Sequence, residues 1–228
     1  MGTRNSPLEE QLPAQQVRIP AGREHVCGDL VRPREAAGLV VFAHGSGSSR
    51  HSPRNRYVAS VLNRARLATL LADLLTLREE EADQDSGEYR FDIGLLAERV
   101  AAMVAWTREE PTVRDLPVGL FGSSTGAAAA LVAAARRPHA VSAVVSRGGR
   151  PDMAGDFLPK VTCPTLFIVG GLDDVVIRLN RKAMAAMTAE RTMEIVPGAT
   201  HLFEEPGTLE TVAGLARDWF QAHLPGGG

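Results

Sequence analysis

The stretch LFGSSTG, residues 120–126, decides how this chain folds. It lies between an apolar run and an alanine-rich run, and its last five residues fit two known patterns. One is G-x-S-x-G, a sharp strand-to-helix turn that exposes a catalytic serine. The other is G-x-x-x-G, the small-residue face on which membrane helices dimerise. These patterns imply different classes of protein, so the surrounding sequence has to decide between them.

The membrane interpretation fails on composition. Residues 118–135 carry no charge, but their middle is polar or glycine and their second half is mostly alanine. A spanning helix needs about 20 strongly apolar residues. Asp115 and Arg136 also bracket the run closely. The sequence therefore predicts no membrane span and favours the turn.

Apolar runs alternate with stretches of helical periodicity along the chain, and this alternation sets the fold class. Strands are predicted at 16–19, 25–31, 38–43, 68–75, 118–121, 141–146, 165–169 and 193–196. Helices are predicted around 57–65, 95–104, 125–137, 183–187 and 209–220. This order predicts an α/β fold, a mostly parallel central sheet flanked by helices on both faces. Residues 147–164 are too few for a cap domain, and residues 79–92 (EEEADQDSGEYRFD) are the one stretch that could form a mobile flap.

Length and composition bound the domain organisation and the partners. We expect a single domain over 16–224, with a loose segment at 1–15 and a flexible tail at 225–228. The formal net charge of −2 gives no reason to expect a nucleic-acid or membrane partner. Cys27 and Cys163 are interpreted as small core residues in a reducing compartment. The N-terminus lacks the apolar region of a signal peptide, so we expect a cytoplasmic protein, a monomer or a homodimer.

Three polar residues follow predicted strands in an order that indicates nucleophilic catalysis. A serine hydroxyl needs a base, and the base needs an orienting carboxylate. Ser124 is the central residue of the turn, Asp173 and Asp174 follow the strand at 165–169, and His201 follows the last strand. Asp173 is favoured over Asp174 by its match to G-x-x-D. The alternative role for Ser124 is an N-cap of the alanine-rich helix.

The loop after the strand at 38–43 predicts an oxyanion hole. His44 is followed by Gly45, Ser46 and Gly47, and small residues let backbone N–H groups turn toward a developing negative charge. The N–H groups of Ser46 and Thr125 are the expected donors. His44 is interpreted as a scaffold residue of this loop.

Arginines near the same edge of the sheet suggest recognition of an anion. Arg50, Arg54 and Arg147 are candidate substrate-binding residues if they converge near Ser124, because guanidinium binds carboxylate or phosphate bidentately. The alternative is that they pair with the carboxylates of residues 79–83, which are expected on a loop at this edge. Substrate binding predicts that Arg147→Ala weakens acidic esters selectively.

These motifs resemble those of the α/β-hydrolase superfamily, and more narrowly its dienelactone-hydrolase-like branch. The resemblance runs from about His25 to Leu224 and rests on VVFAHGSGSSRHSPRN, GSSTGAAAALVAAA, VVSRGGRPD, IVGGLDD and GATHLFEEPG. Dienelactone hydrolases use a cysteine at the elbow and a glutamate near the oxyanion loop. This chain has Ser124 and no such glutamate beside residues 44–49. Some relatives are fused to phosphoribosyltransferase-like domains.

The resemblance implies that Ser124 is the nucleophile, Asp173 the acid of the triad and His201 the base. We therefore expect a serine hydrolase that cleaves small carboxylic esters, thioesters or lactones, with no metal or organic cofactor. Two alternatives stay open. One is acyl transfer or perhydrolysis at the same site, and the other is a non-catalytic binding protein on this fold.

Overall fold

A computed structural model describes residues 12–224, which form a sheet of eight strands in the order β1-β2-β4-β3-β5-β6-β7-β8. The strands are β1 (Gln15–Ala21), β2 (Glu24–Val31), β3 (Gly38–Ala43), β4 (Leu67–Ala72), β5 (Val118–Ser123), β6 (Ala143–Arg147), β7 (Thr165–Gly170) and β8 (Arg191–Val196). β1 pairs with β2 and β2 with β4 in antiparallel register, whereas all pairs from β4 to β8 are parallel. The predicted, mostly parallel sheet is confirmed.

Helices cover both faces of the sheet. They are α1 (Pro53–Arg64), α2 (Leu77–Ser86), α3 (Ile93–Glu109), α4 (Thr125–Arg136), α5 (Asp174–Ala186) and α6 (Thr208–His223). The side chains of α3 and α4 belong to one hydrophobic core, and those of α1 and α6 belong to a second core on the other face. Because both faces are covered, β3 to β7 are buried along their whole length. None of the helices between Leu12 and Leu224 is long and apolar enough to cross a membrane.

The turn between β5 and α4 requires two glycines. A Cβ atom at Gly122 would clash with the backbone of Ala127, and one at Gly126 would clash with the carbonyl oxygens of Ala43 and His44. Alanines fill the rest of α4 and are buried, so the helix lies close against the sheet. This close approach puts the start of α4 beside the end of β3.

The carboxylates of residues 79–83 are expected on a loop, within the stretch 79–92 that could form a mobile flap, and the loop prediction is wrong. Residues 77–86 form α2, whose N-terminus is closed by a reciprocal capping box between Thr76 and Glu79. Gly87 ends the helix with a φ of +67°. Asp83 is buried and accepts hydrogen bonds from the backbone and side chain of Arg90, which hold the following turn against the helix. The helix is polar along its length, so apolar periodicity could not reveal it.

Two other segments differ from their predicted form. α5 begins at Asp174 rather than near 183, because Asp173 caps its first turn and Val176, Ile177 and Asn180 bury one face. A 3-10 segment at Pro151–Lys160 connects β6 to β7, with no separate cap domain. The expectations for 1–15 and 225–228 fall largely outside the described residues.

The packing at the turn predicts opposite effects for two glycine substitutions. Gly126→Ala should lower the free energy of unfolding by about 1–3 kcal/mol or more, because its Cβ would press on the backbone of β3. Gly214→Ala in α6 should raise it by about 0.5–1 kcal/mol, because its Cβ would enter open space and alanine favours the helix. Urea unfolding of both variants measures this. Equal stability of Gly126→Ala and the wild type would contradict the packing described here.

Candidate active site

A cavity of about 250 Å³ opens where the loops after β3, β5, β6 and β8 meet. Its lining residues are Gly45, Ser46, Ser48, Ser52, Arg54, Asn55, Ser123, Ser124, Arg147, His201 and Leu202. The structure thus brings Ser124, His201, Ser46, Arg54 and Arg147 to one cavity. Parallel strands present their carboxyl ends at the same edge, which is why residues far apart in sequence meet here.

Ser124 has the backbone of a strained turn. Its φ of +51° and ψ of −121° are unusual for a residue with a Cβ. Such strain persists only where the surrounding structure imposes it, and here the packing of β5 and α4 does so. The Ser124 side chain makes no capping hydrogen bond to α4. Ser124 lines the cavity, and although it holds the N-cap position of α4, its side chain does not cap the helix.

His201 is oriented by Asp173. Nδ1 of His201 lies 2.7 Å from Oδ2 of Asp173. An ionised carboxylate can only accept, so Nδ1 is the donor, and in the neutral form of this ring Nε2 is the nitrogen with the free lone pair. Oδ1 of Asp173 accepts from the N–H of Val176 at 3.3 Å, which ties the carboxylate to the start of α5. Asp174 is the first residue of that helix and is exposed, with no contact to the imidazole.

The loop after β3 approaches the serine closely. A Cβ at Gly45 would lie only 3.1 Å from the Cβ of Ser124. The N–H of Ser46 donates to Oγ1 of Thr125 at 3.0 Å, which ties this loop to the first turn of α4. The N–H of Thr125 is at the first position of the helix, where the helix offers it no acceptor. Of the two expected oxyanion donors, the N–H of Thr125 has no acceptor within α4, whereas the N–H of Ser46 donates to the Thr125 hydroxyl.

His44 holds this loop from behind. Its Nδ1 lies 2.9 Å from the carbonyl oxygen of Gly45 and donates to it, while Nε2 accepts from the N–H of Leu74 at 3.0 Å. Burial lowers the pKa of His44 below its ordinary value of 6.5. The neutral imidazole therefore acts as a donor and an acceptor at once.

The three candidate arginines differ in their surroundings. Arg50 forms ion pairs with Asp73 and Asp29 and does not line the cavity with Ser124. Arg54 lines the cavity and pairs with Glu204 at 2.9 Å. Arg147 lines the cavity, is 7% exposed and has no ion pair among residues 12–224.

The carboxylates of residues 79–83 do not pair with these arginines. Glu79 binds Arg99 at 2.6 Å, and Asp83 binds Arg90 at 2.6 Å. These acidic residues belong to α2, whose helical geometry turns them to partners outside the cavity that holds Ser124. The alternative pairing expected from the sequence is therefore wrong.

Sequence reasoning missed one polar contact beneath the site. Ser123 is buried and its Oγ donates to Oδ1 of Asn55 at 3.1 Å. Asn55 is buried on the inner face of α1 and lines the cavity. The pair joins α1 to the turn that carries Ser124. A polar residue at an inward position of an otherwise amphipathic helix was the available signal.

A second cavity, of about 230 Å³, lies on the other side of the loop after β3. Its charged lining residues are mostly acidic: Asp73, Glu80, Asp83 and Arg90. Across residues 12–224, no three His, Cys, Asp or Glu side chains come together as a metal ion would require.

The family model described as the dienelactone hydrolase family matches residues 34–223. Two proteins from strains of Mycobacterium tuberculosis, each named "Putative phosphoribosyl transferase", are 55% identical over 227 residues. The match covers 100% of this chain and 50% of each relative, so the chain spans about half their length.

Solved structures share the architecture. A dienelactone hydrolase from Anabaena variabilis is 54% identical, with a TM-score of 0.90 over 92% of this chain and 99% of that one. Est1E from Butyrivibrio proteoclasticus is 17% identical, with a TM-score of 0.76 over 91% of this chain and 98% of its own. At 17% identity, the similarity to Est1E shows a shared fold and nothing more.

The buried His44 predicts a loss of stability in mild acid. In the unfolded chain His44 binds a proton near pH 6.5, whereas in the folded protein burial lowers its pKa, so it binds the proton only at a lower pH. Its contribution to stability is therefore complete above pH 6.5 and is lost as the pH falls below that value, at up to about 1.4 kcal/mol per pH unit. His44→Gln should remove this dependence of the free energy of unfolding on pH. His139→Gln, at an exposed position, should leave it in place. Urea unfolding at several pH values measures both variants. If the free energy of unfolding of His44→Gln fell with pH as steeply as that of the wild type, His44 would not be the source of the acid sensitivity.

Proposed function

Because this chain belongs to the dienelactone hydrolase family, we propose that it is a serine hydrolase that cleaves small carboxylic esters or thioesters through an acyl-enzyme on Ser124. The observation that carries this proposal is the geometry around the serine. Ser124 stands at a strained turn in the same cavity as His201, and Nδ1 of His201 is held by Asp173 at 2.7 Å.

The chemistry follows from these three groups. Oγ of Ser124 attacks the ester carbonyl carbon, and its proton passes to Nε2 of His201. Asp173 holds the proton on Nδ1 and stabilises the imidazolium that forms. The C–O bond of the ester then breaks, and the leaving alcohol takes the proton from His201. Water attacks the acyl-enzyme by the same route in reverse, which releases the carboxylic acid and restores Ser124.

The negative charge on the carbonyl oxygen needs donors from the backbone. The N–H of Thr125 has no acceptor in the helix, so it is the first donor. The N–H of Ser46 is the second, once it exchanges the Thr125 hydroxyl for the oxyanion. A single donor of this kind is typically worth about 3–4 kcal/mol in the transition state.

The size of the substrate is limited by what surrounds the cavity. The connection between β6 and β7 is a short 3-10 segment with no separate cap domain. A long apolar acyl chain would therefore have little surface to bury against, which favours small or soluble esters. The name of the Mycobacterium tuberculosis relatives belongs to proteins about twice as long, and the hydrolase family match lies within the half that this chain shares. We therefore propose hydrolysis rather than phosphoribosyl transfer for this chain.

Two neighbouring aspartates offer a matched test of the triad. Asp173→Asn should lower kcat for p-nitrophenyl butyrate by about 10³- to 10⁴-fold, because the imidazole would lose its orienting carboxylate. Asp174→Asn should stay within about two-fold of wild type, because this carboxylate is exposed and does not contact His201. Ser124→Ala should abolish measurable turnover. Equal losses for the two asparagine variants would refute the assignment of Asp173.

A further inference from the structure

A buried guanidinium without an anionic partner lies beside the nucleophile. Arg147 ends β6, is paired in register with Ser123, and its carbonyl oxygen accepts from the N–H of Ser124 at 3.3 Å. Its side chain packs over the ring of Phe203, with Cζ 5.9 Å from the centroid. Nε is buried without a hydrogen-bond partner. No carboxylate between residues 12 and 224 forms an ion pair with this arginine.

A buried guanidinium lowers the stability of the fold unless an anion pairs with it. Buried charges in proteins are normally paired, because removing a charge from water carries a large desolvation penalty. Burial and repulsion from Arg54 lower the pKa of Arg147 to about 10, so it still carries its charge at neutral pH. The protein therefore maintains a positive charge in the wall of this cavity.

The cavity contains a second positive charge and no negative one. Arg54 also lines it, and its Nε is buried without a partner. None of the cavity-lining residues is an aspartate or glutamate. Arg54 does pair with Glu204, but the Glu204 side chain is 63% exposed, and exposed pairs of this kind are weak and exchangeable. By contrast, a carboxylate partner is present for three arginines that do not line this cavity: Arg50, Arg90 and Arg99.

We propose that Arg147, with Arg54, forms an anion-binding subsite, and that the preferred substrates are esters carrying a carboxylate or phosphate group. Both anions present paired oxygens that a guanidinium fork can bind bidentately. Hydrolysis of such an ester rests on the proposed function, whereas binding of the anion does not.

The selectivity is tested with two esters that share a leaving group. p-Nitrophenyl butyrate is neutral, and p-nitrophenyl hemisuccinate carries a carboxylate at the end of an acyl chain of similar length. For Arg147→Gln, the ratio of kcat/KM for the hemisuccinate to that for the butyrate should fall by about 10- to 100-fold, because a charge-assisted hydrogen bond is lost. An equal loss on both esters would overturn the proposal.

Two other variants sharpen the comparison. Arg137→Gln removes an exposed positive charge just beyond the far end of α4, about 18 Å along the helix from Ser124, and should leave the ratio unchanged. Glu204→Gln removes the carboxylate that competes for Arg54 and should raise the ratio, by up to about five-fold. A ratio that falls in Glu204→Gln, or falls equally in Arg137→Gln and Arg147→Gln, would contradict a local anion site.

Binding is measured without catalysis in Ser124→Ala. Sodium succinate or sodium phosphate should raise its melting temperature above that in sodium chloride of equal ionic strength, because a ligand of the folded state stabilises it. The rise should vanish in the double variant with Arg147→Gln. The anion that gives the larger rise identifies carboxylate or phosphate as the group recognised.

The two proposals fail in different ways. No rise with either anion would overturn the anion subsite, even if wild type hydrolyses neutral esters. A rise that depends on Arg147, with no turnover of either ester by the wild type, would support the subsite and overturn the hydrolase proposal.

Discussion

The active-site geometry depends on how closely α4 approaches the sheet. Gly122 and Gly126 have no Cβ, so the helix starts against the carbonyl oxygens that end β3. Ser124, the middle one of the three residues between them, has a strained backbone with a φ of +51°; its side chain does not cap the helix, and the residue lines the cavity. The close approach also places Thr125 beside the loop after β3, where its hydroxyl accepts from Ser46. The position of the proposed nucleophile and that of the proposed oxyanion donors therefore have one cause.

The sequence predicted the sheet well because its central strands are buried on both faces. Continuous apolar runs of five or six residues, ended by glycine or a polar residue, are visible without any structure. Ser124 and Asp173 each follow such a run, whereas His201 follows β8, which is only partly buried and was visible as the short run at 193–196. The preference for Asp173 over Asp174 came from spacing alone, and only the structure shows the contact of Asp173 with His201.

The sequence analysis missed a polar helix and could not assign partners to the arginines. α2 was missed because it is polar throughout and is held by its capping box and by the Asp83–Arg90 contacts. The capping signal at Thr76 and Glu79 was present in the sequence and would have found the helix. The sequence could not show which of Arg50 and Arg147 has a carboxylate partner, because both lie near the carboxyl ends of predicted strands at the same edge. One meets two aspartates and the other meets none.

The loop after β3 separates two cavities of different charge, with carboxylates on one side and two arginines beside Ser124 on the other. We propose that Ser124, in the cavity lined by Arg54 and Arg147, is activated by His201 and Asp173, and labelling with a fluorophosphonate tests this most directly. The account predicts one adduct, mapped by mass spectrometry to the peptide that contains Ser124 and absent from Ser124→Ala. A folded wild-type protein that forms no adduct, or an adduct that persists in Ser124→Ala, would contradict it.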